Sequence, residues 1–170
     1  MKNMLLGALA LTLIAGSASA VDLSSTLSYQ DSGTTVATAT VAGPVVGPFV
    51  ADLTGAVEVN NDVWTQRVEI GGSLFNDRFA VRAALGEKFG TSDFMYYSFT
   101  PSVQLDVPYT DKFVVSARYR NSFEDNNYET YGAGVRAGWN VGPVVLSAGV
   151  AAYTGDTEYT EYTVGVSRKF

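Results

Sequence analysis

Apolar and polar side chains alternate along most of the chain beyond residue 21, so that one side of each stretch is apolar. In the stretch 79–85, Phe79, Val81 and Leu85 fall on one side and Arg82 on the other. Because successive side chains of a β-strand point to opposite faces, this period predicts strands with one apolar face. Turn residues divide the chain into ten segments of strand length, at 22–30, 34–43, 48–59, 63–75, 78–88, 93–106, 112–121, 127–140, 144–154 and 158–170.

The connections between these segments form two alternating sets. Tight turns rich in Pro, Gly, Asn and Asp lie at 43–48, 75–78, 107–111 and 140–143. More acidic connections, two of them longer, lie at 31–33, 60–62, 87–93, 121–127 and 155–158. Strands of ~9–11 residues suffice to cross a bilayer at a tilt. The pattern predicts an all-β fold, an antiparallel up-and-down transmembrane β-barrel of about ten strands; eight strands, with the count failing within 31–48, is the alternative.

Alternation alone does not decide whether the apolar face meets lipid or a core, because a soluble lipocalin-like barrel also alternates. The positions of the aromatic residues favour lipid, since they cluster near the segment ends, as in the interfacial girdles of membrane barrels. Beside the tight turns these are Phe49, Phe75, Phe79, Tyr109, Phe113, Trp139 and Phe170, and beside the acidic loops Tyr29, Trp64, Tyr97, Tyr119, Tyr128 and Tyr153.

The first twenty residues have the pattern of a secretory signal peptide. Lys2 precedes an apolar run over 4–15, and Ala18-Ser19-Ala20 forms a small-residue cleavage site. We therefore expect residues 1–20 to be cleaved and residues 21–170 to form a single barrel domain. The sequence contains no cysteine, which excludes a lipoprotein signal and stabilisation by disulfides.

The last segment carries apolar side chains at Tyr162, Val164 and Val166 and ends on Phe170. It resembles the C-terminal strand of bacterial outer-membrane β-barrel proteins, in which the terminal aromatic residue is read by the insertion machinery. Arg168 stands where that family typically has a second bulky apolar residue. The resemblance implies location in the outer membrane, contact with its lipid and lipopolysaccharide, and assembly through the barrel-assembly machinery. A monomer is expected.

The polar face combines small residues with arginines and carboxylates. The inward-facing candidates, which would line the lumen, are Asp52, Glu58, Arg67, Glu69, Arg82, Arg118, Arg120, Arg136 and Glu161. Because barrels of about eight strands are filled by their own side chains, ten strands predict at most a narrow gap. Two interpretations stay open: a passage with an electropositive arginine wall, or a plug in which the charges form salt bridges.

Composition removes most other functions. The chain has neither histidine nor cysteine, which argues against zinc or redox-metal sites and against the outer-membrane hydrolases and acyltransferases of this architecture, which depend on an active-site histidine. We therefore expect no enzymatic activity, no cofactor and no bound metal. The net charge of −6 makes nucleic-acid binding improbable.

These observations predict a non-enzymatic integral outer-membrane protein, either structural or a narrow porin-like passage for ions and small solutes. One alternative is a surface adhesin or receptor that binds a host, phage or envelope partner through its outer loops. A second alternative is a soluble lipocalin-like carrier with the apolar face inward.

Overall fold

The computed structural model describes residues 21–76, 78–90, 93–123 and 128–169. The predicted signal peptide and Phe170 lie outside these residues. Within them, no helix has the length and apolarity needed to cross a membrane.

Ten antiparallel strands form one closed barrel. They are β1 (Asp22–Gln30), β2 (Thr35–Val46), β3 (Phe49–Asn60), β4 (Val63–Asn76), β5 (Phe79–Phe89), β6 (Phe94–Leu105), β7 (Lys112–Ser122), β8 (Thr130–Val141), β9 (Val144–Gly155) and β10 (Tyr159–Lys169). Each strand pairs with its neighbours in the chain, and β1 pairs with β10 from Asp22↔Lys169 to Gln30↔Glu161. The predicted fold and the count of ten strands are confirmed, and the eight-stranded alternative is wrong.

The region 31–48, on which the eight-stranded alternative depended, contains an irregularity. The predicted turn at 43–48 shrinks to residues 47 and 48, because β2 continues to Val46. The pairing of β2 with β3 shifts between Pro44 and Val46, which allows a strand to contain a residue that cannot donate a ladder hydrogen bond. Gly47 then turns the chain with a φ of 54°.

The two sets of connections lie at opposite ends of the barrel, as the alternation predicts. We call the end formed by the described residues 31–34, 61–62, 90, 93, 123, 128–129 and 156–158 the loop end, and the other the turn end. At the loop end, Asn61 and Asp62 both have positive φ, of 46° and 67°, as a two-residue hairpin turn requires.

The apolar face points outward. Leu53 pairs with Ile70 and Ile70 with Leu85, so these side chains form one row across three strands. Ile70 is 69% exposed and Leu53 50%. Soluble proteins seldom expose so continuous an apolar surface, whereas lipid covers it in a membrane barrel. A lipocalin-like carrier requires the opposite orientation, so that alternative does not fit the structure.

Most of the predicted aromatic girdle faces outward. At the loop end Tyr29 and Trp64 are about half exposed, and at the turn end Phe79 is exposed on the outer face. Phe75 was assigned to the girdle wrongly, because it has the parity of the inward Glu69 on β4.

Tyr153 and Tyr128 were assigned to this girdle wrongly. Tyr153 has the opposite parity to the outward residues of β9 and stacks on Tyr159, with ring centres 4.7 Å apart. Tyr128 precedes β8 and lies inside the loop-end mouth of the barrel. Nearness to a loop does not decide which face a ring occupies; the parity of a residue within its strand does.

Candidate functional site

Strand parity places all nine predicted lumen residues on the inner face. The chain of register partners Glu69↔Gly86↔Tyr96↔Ser122 runs round one side of the interior, and residues two positions along each strand share that face. Asp52 and Glu58 lie on β3, Arg67 and Glu69 on β4, Arg82 on β5, Arg118 and Arg120 on β7, Arg136 on β8, and Glu161 on β10.

The Glu69 carboxylate is the centre of the inner polar network. It lies 3.1 Å from Arg82 Nη1, 3.2 Å from Arg120 Nη2 and 3.9 Å from Arg118 Nη2. The Tyr96 hydroxyl donates a hydrogen bond to Glu69 Oε1 at 2.9 Å. Glu69 is only 4% exposed. A carboxylate held so far from bulk water is stable as an anion only when cations and donors surround it.

Two further carboxylates complete the network on the same wall. Arg82 donates to Asp52 through Nε at 3.0 Å and Nη2 at 2.6 Å, which is the bidentate geometry of a strong guanidinium–carboxylate pair. Glu58 lies 2.9 Å from Arg67 Nε and 3.4 Å from Lys88 Nζ. The ion pairs of β3, β4, β5 and β7 therefore form two groups on one wall, one centred on Glu69 and the other on Glu58.

Lys88 and Tyr96 belong to this network but were missed in the sequence. Both were detectable, because Lys88 has the parity of Arg82 on β5, and Tyr96 lies between the outward Met95 and Tyr97 on β6.

Two glycines make room for the network by allowing close approach to the backbone. A Cβ on Gly71 would lie 2.7 Å from Arg82 Nη2 and 2.9 Å from Asp52 Oδ1. A Cβ on Gly86 would overlap the ring of Tyr96. The largest side chains of the interior thus lie over positions that have none.

The opposite wall is built from small side chains. The inner faces of β8, β9, β10 and β1 are mostly Gly, Ala, Ser and Thr, including Gly134, Gly149 and Ser147. At mid-height Ser28 and Thr163 share a hydrogen bond of 2.9 Å and are 5% and 7% exposed. Both walls of the interior therefore contain buried polar side chains.

Two predicted charges on this wall stand apart from the ion pairs. Within the described chain, neither Glu161 nor Arg136 has an oppositely charged side chain within 4.0 Å. Glu161 is contacted by the Gln30 amide at 3.4 Å. Arg136 is exposed on the inner face towards the turn end, so solvent reaches the interior there.

A cavity of about 880 Å³ opens at the loop end. Its charged lining comes from both walls and comprises Glu58, Arg67, Lys88, Arg118, Arg120 and Glu161, with Asp93, Asp156 and Glu158 near the rim. Solvent thus enters the barrel from each end, and the Glu69 network lies between the two spaces.

Tyr128 lies at the side of this cavity, outside the strands. Its hydroxyl accepts a hydrogen bond from Arg120 Nη1 at 3.1 Å. Burial of the ring favours the neutral phenol, but the positive charges of Arg120 and Arg67 outweigh that effect and hold the pKa of Tyr128 below its ordinary value.

No protein-family model and no curated protein matches the chain. Among solved structures it is similar to the NanC porin, with a TM-score of 0.61 at 10% identity, covering 87% of this chain and 100% of that one. It is also similar to the KdgM porin in complex with disordered oligogalacturonate, with a TM-score of 0.52 at 11% identity, covering 88% and 99%. The translocator domain of autotransporter NalP from Neisseria meningitidis gives 0.50 at 11%, covering 100% and 95%. The likeness shows the fold alone, a closed antiparallel β-barrel similar to the barrels of these proteins.

Proposed function

We propose that this protein is a narrow porin-like passage of the bacterial outer membrane that favours small anions. The observation that carries the proposal is the excess of positive charge in the solvent-accessible interior. Among the described inner-face side chains, the cationic ones outnumber the carboxylates: Arg67, Arg82, Lys88, Lys112, Arg118, Arg120 and Arg136 against Asp22, Asp52, Glu58, Glu69 and Glu161. The rim carboxylates lie in solvent, where salt screens them, whereas charges in a confined lumen are screened less.

The passage we propose is narrow because the Glu69 network occupies the middle of the barrel. Ions and small solutes are the expected cargo, since the side chains of a ten-stranded barrel leave little free width. The small residues of β8, β9, β10 and β1 supply the side along which a solute would pass. The KdgM porin, which has the same fold, was solved in complex with an acidic oligosaccharide, in keeping with a preference for anions.

We further propose that the loop end faces outside and that the outward face meets outer-membrane lipid and lipopolysaccharide. Tyr162, Val164 and Val166 are 55%, 58% and 43% exposed on the outer face of β10. This supports the assignment of these residues, with Phe170, as the signal read by the barrel-assembly machinery. We propose that the barrel works as a monomer, without enzymatic activity, cofactor or metal.

The test is planar-bilayer recording of the purified protein. We expect small discrete conductance steps and a reversal potential that shows anion preference. Replacing Arg118 and Arg120 by Ser removes two lumen cations, so the reversal potential should move towards cation preference. Arg78→Ser is the matched control, because Arg78 is exposed at the turn end and pairs with Asp106 outside the lumen.

Recordings without steps from correctly folded protein would reject the passage. The same geometry would then favour a structural barrel closed by its own ion pairs, because the Glu69 network and the Ser28–Thr163 pair are buried at one level. Equal shifts with Arg78→Ser and the lumen variants would reject the lumen origin of the selectivity.

A further inference from the structure

Tyr128 is the only described residue between β7 and β8 whose ring lies against the inner polar network. The ring centre lies 4.5 Å from that of Phe94 and 5.7 Å from that of Tyr96. Two cations also face the ring, with Lys88 Nζ at 5.5 Å and Arg120 Cζ at 5.8 Å from its centre. A ring held by two aromatic neighbours, two cations and a hydrogen bond has a fixed position.

That position connects the loop end to the constriction. Arg120 donates to the Tyr128 hydroxyl through Nη1 and approaches Glu69 through Nη2. Arg120 is 5% exposed although it belongs to a residue type that is rarely buried. The Tyr128 ring contributes to this burial, because it packs against Arg120 and Lys88 beside the cavity that all three residues line.

We infer that Tyr128 is a specificity-determining residue of the proposed passage: its ring packs over Lys88 and Arg120 and limits how much of these two cations a solute in the loop-end cavity can contact. The inference rests on the proposed function only in its consequence, which is that the passage selects solutes by size and charge. Its geometric part, the covering of the two cations, can be tested without any current.

The absence of cysteine from the chain allows an accessibility test. In a Lys88→Cys protein, the introduced thiol lies under the Tyr128 ring, and its reaction with fluorescein maleimide added from the loop end can be followed by in-gel fluorescence. We expect Tyr128→Ala to accelerate this reaction several-fold, with a smaller change for the less bulky N-ethylmaleimide. Equal rates with and without the Tyr128 ring would overturn the inference.

Two control variants distinguish the covering of the cations by the Tyr128 ring from a general loosening of the barrel. Tyr131→Ala removes the same side chain at the same end of the barrel, but Tyr131 faces outward and is 47% exposed, so the reaction rate should not change. Gln30→Cys places a thiol on the opposite wall of the cavity, and its rate should not respond to Tyr128→Ala. Acceleration in both controls would indicate loosening and reject the specific role of Tyr128.

Further variants keep the inference testable if Tyr128→Ala does not fold. Tyr128→Trp should slow labelling of the Lys88→Cys thiol, because the ring is larger, and Tyr128→Phe should keep most of the protection without the Arg120 hydrogen bond. Faster labelling in Tyr128→Trp than in the parent would overturn the inference.

Bilayer recordings then distinguish the two proposals. If the passage exists, Tyr128→Ala should enlarge the conductance step and strengthen anion preference, since Arg120 becomes accessible. Silence in both parent and variant, together with faster labelling, would reject the passage and keep the covering role. Unchanged conductance together with unchanged labelling would reject the role of Tyr128 and keep the passage.

Discussion

At the scale of one residue, the Glu69 carboxylate is shared by three arginines. We therefore expect even an isosteric substitution of Glu69 to destabilise the barrel strongly. Replacing Glu69 by Gln keeps the shape of the side chain but leaves Arg118 and Arg120 without their buried counter-charge. Removing one partner of a buried ion pair typically costs about 3–5 kcal/mol. We expect Glu69→Gln to lower the temperature at which the barrel unfolds in detergent, measured by the loss of strand circular dichroism.

The matched control is Glu161→Gln, the same substitution on the opposite wall. Glu161 has no cation within 4.0 Å in the described part of the chain, so the expected cost is about 1 kcal/mol or less. If both variants unfold at the same temperature, the Glu69 network does not stabilise the barrel.

At the scale of the strand, the period of two was sufficient to predict the fold. Parity assigned most inner and outer positions. The described strands match the predicted segments to within one residue at each end, except that β2 continues to Val46 and β8 begins only at Thr130. Parity does not give the partners of each charge, because ion pairs across strands depend on register and on rotamers. The sharing of Glu69 by three arginines from β5 and β7 was therefore not predictable. Tyr128 lies outside the strands, so no periodic signal applied to it.

The Tyr96 ring of β6 lies directly over Gly86 of β5. Gly86→Ala would place a methyl group in the Tyr96 ring, and overpacking of this kind costs about 1–3 kcal/mol. We expect a lower unfolding temperature in detergent. Gly55→Ala is the control, because a Cβ at Gly55 has nothing within 4 Å, and alanine is favoured over glycine in a strand by about 0.5–1 kcal/mol.

A double substitution tests whether the clash with Tyr96 is the cause. In a Gly86→Ala, Tyr96→Leu protein, the two losses of stability should not add, because Tyr96→Leu removes the ring that the added methyl group would overlap. Strict additivity of the two effects would contradict the packing argument, and so would an equal loss of stability in Gly55→Ala.

At the scale of the whole molecule, closure through β1 and β10 leaves no free sheet edge. Every strand has two neighbours, so an outward apolar face and a fully paired backbone occur together, which is what a bilayer requires. The connections at the loop end are short, two residues between β3 and β4, whereas a standard protein interface buries roughly 800 Å² per partner. The loops therefore give little support to the adhesin alternative.

Closure predicts resistance to SDS until the protein is heated. We expect unboiled protein from the membrane fraction to migrate differently from boiled protein on a gel, because the closed barrel stays folded in the detergent. Val164→Pro removes a backbone donor within β10 and disturbs pairing with its neighbours, so the variant should lose this shift. Val164→Ala changes the same outward position but keeps the donor, and its shift should persist. If Val164→Pro also keeps the shift, pairing along β10 is not what makes the barrel resistant; if the parent protein shows no shift, the closed barrel is not the state present in the membrane.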